Sequence, residues 1–276
     1  MASSWQAMEI KIITFWSVIV LLFVTGCTEN PSKTHHYSDH SVMDTHTSDS
    51  GQQLSEPISD NYHDHAMEEE PQLPDTLELE KSLIAQGLVN IQNLAPDVSI
   101  SLKYASTDNF LNEDVYQGLS RCYLQPEAAL MLAKAQTVLT TKHPGLTLLI
   151  YDGARPQSVQ YKMWEIVKNT PMEDYVAEPD RGSMHNYGTA VDLSLYHLDT
   201  GEVDMGTPYD HFGPLAQPRY ETKYLESGEL TQTQVNNRRI LRAAMLEAGF
   251  SGILSEWWHF NAFPKDTVRK KYQLIR

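Results

Sequence analysis

Apolar residues are distributed along this chain in three regimes. Ile12 to Gly26 is an unbroken run of apolar and small residues that ends in Val24-Thr25-Gly26-Cys27. From Thr28 to about Pro74 the apolar periodicity vanishes among Ser, Thr, Asp, Glu, His and Pro. Beyond that, short apolar runs alternate with amphipathic ones as far as Arg276, which is the signature of a folded domain. The boundaries that follow are an export signal over 1–27, a tether over 28–78 and a domain over 79–276, the last of ordinary single-domain size.

Within the domain, Leu88-Val89-Asn90-Ile91 and Ser99-Ile100-Ser101-Leu102 read as strands. Gln125-Pro126-Glu127 opens a helix toward Thr140, with proline in its first turn. Leu146 to Tyr151 is a buried strand, and Arg155-Pro156 enters a second helix that runs through Val167. A strand is expected from Gly188 to Tyr196, turned back as a hairpin at Asp199-Thr200-Gly201. Gln234 to Ala248 reads as a helix closed by Gly249, and Ser255 to Phe260 as the last strand. Helices and strands alternate without a regular βαβ repeat. The expected class is therefore α+β, a mainly antiparallel central sheet flanked by helices.

The first apolar run is too short to span a membrane. Its fifteen residues would rise only about 22 Å as a helix, against the ~30 Å hydrocarbon core. That length suits the apolar region of a signal peptide better than an uncleaved anchor. Cys27, directly after Thr-Gly, resembles the bacterial lipoprotein box, in which the cysteine becomes the lipidated first residue. The expected location is outside the cytoplasm, held to a bacterial membrane through lipid alone. With Cys27 so used, Cys122 has no intramolecular partner and is expected to be a small packed core residue.

Charge narrows the choice of partners. The chain carries a net charge of −15, and 13 Asp or Glu against one Lys between Thr28 and Glu80 supply −12 of it. Such a balance argues against nucleic acid, which needs a basic patch. Six of the 11 histidines, namely His35, His36, His40, His46, His63 and His65, lie in the tether. They have no regular spacing, so a solvated spacer is favoured over a metal-collecting arm.

Two distant stretches of the domain fit together as one metal site. Ser183-Met184-His185-Asn186-Tyr187-Gly188-Thr189-Ala190-Val191-Asp192 and Glu256-Trp257-Trp258-His259 offer two imidazoles, a carboxylate ligand and a spare glutamate. A catalytic zinc takes three protein ligands and keeps one position for water, and a nearby carboxylate serves as general base. Glycine at 188 lets the chain fold back between His185 and Asp192. Glu256 and His259, three residues apart, face opposite ways on a regular strand. They can share a site only if Glu256 sits at the strand entrance or on a bulge. Trp257 and Trp258 are expected to pack as a hydrophobic floor. His143, His197 and His211 stand in no such pattern and read as structural.

The pattern Ser-x-His-x-x-Gly-x-Ala-x-Asp followed by Glu-x-Trp-His resembles the zinc D-alanyl-D-alanine dipeptidases of the vancomycin-resistance type, within the hedgehog-like group of peptidoglycan peptidases. The resemblance runs from about Leu88 to Phe260. It includes Leu102-Lys103-Tyr104 to Phe110, Asp152-Gly153-Ala154-Arg155-Pro156 with Ala154 in place of an aromatic, Met205 to Phe212, and Asn237-Arg238-Arg239 through Phe250. It implies one zinc per chain on His185, Asp192 and His259, with Glu256 as general base. It further implies that Arg155 stabilises the oxyanion and that Tyr104, Ser183 and Asp210 line the pocket of a small D,D-dipeptide. Two other readings stay open, a D,D- or L,D-carboxypeptidase acting on peptidoglycan peptides and a silent zinc-containing module that binds cell wall.

Overall fold

The computed structural model describes residues 78–276. The expected export signal, Cys27 and the tether with its six histidines lie outside the described residues. Among those described, no helix is long and apolar enough to cross a membrane.

The chain begins with α1 (Glu78–Ala85), followed by β1 (Val89–Asn90), β2 (Ser99–Ile100), β3 (Tyr123–Leu124) and α2 (Pro126–Lys142). Next come β4 (Leu146–Asp152), α3 (Gln157–Val167), β5 (Ala190–His197) and β6 (Gly201–Glu202). The C-terminal part holds α4 (Glu221–Ser227), α5 (Gln232–Ala248), β7 (Ser251–Gly252), β8 (His259–Asn261) and α6 (Lys265–Lys271). The main sheet runs β2-β4-β5-β8-β7, with β6 also on β5, and β1 and β3 form a separate antiparallel pair. Only β2 lies parallel to its neighbour, so the sheet is mainly antiparallel and the class is α+β.

Two strands dominate. β4 and β5 pair along nearly their whole length, and almost every residue of both is buried, the polar Thr147, Asp192 and Ser194 included. Helix α2 covers this sheet with Ala128, Ala129, Leu132, Ala135 and Leu139, a stripe at helical spacing. The buried Gln136 on the same stripe bonds Thr147 Oγ1 at 2.8 Å and accepts from the Leu148 amide at 3.0 Å. Cys122 is a buried free thiol in this core.

Several elements depart from the expected boundaries. The strand at Leu88–Ile91 shrinks to Val89–Asn90, because the Asn90 side chain caps a 3-10 turn at Gln92. The final strand is His259–Asn261 only, with bends at 254–255 and 257–258 on either side of Glu256. Helix α5 begins two residues earlier than expected, at a capping box between Thr231 and Gln234, and ends at Gly249 in the left-handed region.

Candidate active site

The site forms where three neighbouring strands carry polar residues at matched register. On the central strand β5, Asp192 lies directly opposite His259 of β8 on one side and Asp152 of β4 on the other. A register shift between Ile150 and Asp152 brings that second pairing about. Side chains directly opposite on paired strands stand about 5 Å apart at Cβ, close enough to share an ion.

His185 arrives from a 3-10 turn, Met184–Tyr187, that precedes β5. Ser183 caps this turn with its side chain, and the Asn186 side chain reciprocates on the Ser183 amide at 2.7 Å. Gly188 ends it at φ 67°, and a Cβ there would stand 2.6 Å from Leu88 Cδ2. The left-handed φ is what favours glycine here, since the leucine methyl could shift aside.

Three lone-pair atoms converge. His185 Nε2 is 3.3 Å from Asp192 Oδ1 and 3.1 Å from His259 Nδ1, and His259 Nδ1 is 2.9 Å from the same carboxylate oxygen. The other ring nitrogens are already committed. His185 Nδ1 lies 2.8 Å from the Gly153 carbonyl, which can only accept, and His259 Nε2 lies 3.0 Å from Asn261 Oδ1. Both imidazoles therefore turn an unprotonated nitrogen inward when neutral, toward the carboxylate, an arrangement that a bound cation would hold together. The donor set of two imidazole nitrogens and one carboxylate oxygen fits a divalent metal with open coordination positions.

Electrostatics follow the same geometry. Burial works against charge on Asp192, but His185 and His259 outweigh it and hold the carboxyl well below its ordinary range. Burial likewise opposes charge on His185, and Asp192 overcomes it, raising the imidazole. Tyr209 donates to Asp192 Oδ2 at 2.9 Å, leaving Oδ1 facing the histidines.

Glu256 stands at the entrance to β8, with Oε2 4.0 Å from His259 Nδ1. The bends that shorten the strand remove the conflict between opposite faces. Burial pushes the Glu256 carboxyl up to about 7. Trp257 and Trp258 behind it are buried and meet edge to face at 5.3 Å.

Arg155 is almost fully buried and lies along the cleft wall. Its Nε and Nη2 donate to Asp152 Oδ2 at 3.0 and 2.6 Å, and Nη1 donates to Gln160 at 3.0 Å. Asp152 is held in turn by Tyr116, whose hydroxyl donates at 2.6 Å. Tyr104 places its ring 5.2 Å from the Arg155 guanidinium carbon and donates to Asp210 Oδ2 at 2.8 Å. Burial raises the Asp210 carboxyl to about 7. Ser183, Tyr104, Arg155, Asp210 and Glu256 all line one cleft of about 420 Å³ with the three metal-facing residues. All eight expected site residues of the domain are thus brought together.

Asp152, Tyr209 and Asn261 were not singled out in the sequence for the positions they hold here. Asn261 is two residues past His259 on one strand, hence on the same face, and that spacing is a readable signal. His143, His197 and His211 take no part in the triad.

Comparison with known proteins agrees with this geometry. Residues 84–274 match the family model described as D-Ala-D-Ala dipeptidase, the M15 peptidases. The chain is 36% identical over 173 residues to the D-alanyl-D-alanine dipeptidase of Escherichia coli K12, covering 63% of this chain and 83% of that protein. It is 31% identical over 192 residues to the D-alanyl-D-alanine dipeptidase of Enterococcus faecium, covering 63% and 90% respectively. The protein of the same name from Streptomyces coelicolor is 29% identical over 186 residues, covering 62% and 88%. With the family match spanning most of the sequence and the whole of the site, the chain belongs to the M15 family of D-Ala-D-Ala dipeptidases.

Proposed function

We propose that this protein is a zinc-dependent dipeptidase that hydrolyses D-Ala-D-Ala. The observation that carries the reading is the convergence of His185, Asp192 and His259 beside a buried Glu256, in the same cleft as Asp210. Zinc held by the three ligands would polarise the scissile carbonyl and acidify the attacking water.

The chain's own groups supply the rest. Glu256, raised to about 7 by burial, accepts the water proton near neutral pH and returns it to the leaving amine. Arg155, fixed by Asp152 and Gln160, presents a cation to the negative charge that develops on the carbonyl oxygen. Asp210, held by Tyr104, is placed to read the substrate's ammonium group, and Ser183 lines the same pocket. A silent binding module needs neither a base with a raised pKa nor a buried guanidinium. A carboxypeptidase acting on longer peptides has no use for an anion at the position of Asp210.

We further propose export and lipid anchoring through Cys27, on the apolar run and the Thr-Gly-Cys ending alone. Scavenging of dipeptide released by wall turnover suits that location. The direct test is hydrolysis of D-Ala-D-Ala against a muropeptide by the purified protein, metal-free and zinc-loaded. Zinc-dependent cleavage confined to the dipeptide supports the reading, and preference for the muropeptide would replace it with the carboxypeptidase.

A further inference from the structure

The Asn237-Arg238-Arg239 stretch of α5 carries no part of the chemistry above, yet among the described residues Arg238 is the bulkiest of the fully buried side chains. Its contacts are not those of an ordinary core residue. Nε donates to the Met205 carbonyl at 2.7 Å and Nη1 to the Leu215 carbonyl at 3.1 Å. Those two carbonyls bracket most of one irregular loop, which has neither helix nor strand from Val203 to Gly213 and leads into a 3-10 turn, Pro214–Ala216, that holds Leu215. Nη2 is buried with no hydrogen-bond partner among the described residues, and the guanidinium stands 5.8 Å from the Trp257 ring. Trp257 in turn donates from Nε1 to Thr207 Oγ1 in the same loop at 2.8 Å.

The loop held in this way carries Tyr209, which bonds Asp192, and Asp210, which bonds Tyr104. Asp210 has φ 56°, in the left-handed region that aspartate enters more readily than most residues with a side chain. Trp257 is the residue after Glu256. One buried cation therefore ties the segment bearing the base to the segment bearing the pocket carboxylate.

We propose that Arg238 is a positioning residue, a clamp that fixes the loop from Met205 to Leu215 against the Glu256-Trp257 segment and so sets where Asp210 stands in the cleft. The role assigned to Asp210 rests on the dipeptidase reading. The clamp itself rests on the four contacts above. Planar fork geometry is what allows one side chain to reach both carbonyls, and a lysine of equal charge cannot reproduce it.

The test uses the full chain loaded with zinc, with Arg238→Lys as the first variant and Thr207→Val as a mild second one. Three quantities are measured: amide hydrogen exchange by peptide, zinc affinity, and KM and kcat for D-Ala-D-Ala. In Arg238→Lys the loop peptides should exchange faster while those of α2 and β4 are unchanged. KM should rise about tenfold, the loss of roughly one charge-assisted hydrogen bond, with a smaller change in kcat and zinc affinity retained. Thr207→Val should move loop exchange and KM in the same direction by less.

Loop exchange unchanged in both variants overturns the clamp. So does protection lost equally across α2 and β4, which marks Arg238 as a plain core residue. If Arg238→Lys fails to fold, Thr207→Val decides alone, and unchanged loop exchange there overturns the proposal. Exchange does not depend on which peptide is cleaved. An enzyme that ignores the dipeptide's amine would therefore sink the dipeptidase reading and leave the clamp to be judged separately.

Discussion

His185 and Gly153 are joined by a 2.8 Å hydrogen bond from the imidazole Nδ1 to the main-chain carbonyl. That one bond fixes the tautomer and leaves Nε2 free to face Asp192. It also ties two sequence motifs together, since Gly153 lies in Asp152-Gly153-Ala154-Arg155-Pro156. The side chain of Asp152 holds Arg155 while the carbonyl of Gly153 holds His185. A Cβ at Gly153 would stand 2.5 Å from Cys122 Sγ and 3.0 Å from the Tyr123 carbonyl. Gly153→Ala should therefore displace both groups at once. Zinc affinity and kcat should fall together, measured by chelator competition and steady-state kinetics.

Base and ligand are separable by mutation. Glu256→Ala should keep its zinc while kcat falls by about 10² or more, since it removes a proton acceptor and no ligand. His259→Ala should lose the metal. Metal analysis beside turnover distinguishes the two, and equal zinc content with equal residual activity contradicts the division of roles.

Tyr209 would act on a bound metal through Asp192. Tyr209→Phe removes the 2.9 Å bond to Oδ2 and should weaken zinc binding about 10- to 100-fold, the usual loss for an outer partner of a ligand. Competition with a fluorescent chelator measures it, and unchanged affinity refutes the assignment.

Much of this site was legible in the sequence because it is local. His185, Gly188 and Asp192 share one short segment, and Glu256 with His259 another, so fixed spacing within two motifs marks the residues that converge as the candidate triad. The long strands β4 and β5 and helices α2, α3 and α5 were also readable, each having a sustained pattern of its own. What escaped is set by pairing across the fold. Nothing near Tyr209 in the sequence indicates that its hydroxyl meets Asp192. The Asp152–Asp192 register depends on a shift in β4 that no local pattern announces. The last strand is shorter than its pattern predicts, because Trp257-Trp258 is as aromatic as a strand while tertiary packing bends it.

The buried carboxyl of Glu256 makes the metal-free protein sensitive to pH. Its pKa rises from the ordinary value to about 7 on folding, so between those two values the folded state binds more protons than the unfolded one. Stability from this group is present at acid pH and lost as pH rises toward 7. With 16% of the side chain exposed, the effect is on the order of 1–3 kcal/mol. Glu256→Gln should therefore be more stable than wild type at pH 7 without metal, and the difference should shrink at pH 4. Denaturant midpoints at the two pH values check it, and a gap that widens at pH 4 reverses the sign and refutes the account.

The most direct measurement compares free D-Ala-D-Ala with its N-acetyl derivative, using zinc-loaded wild type and Asp210→Asn. A charge-assisted contact between Asp210 and the substrate ammonium is worth about 1.5–3 kcal/mol, or roughly 10- to 150-fold in kcat/KM. Wild type should cleave the free dipeptide and lose most activity on the acetylated one. Asp210→Asn should lose activity on the free dipeptide and narrow that gap. Equal cleavage of the two substrates by wild type would show that the amine is not read, and would contradict the assignment of this site to a dipeptidase.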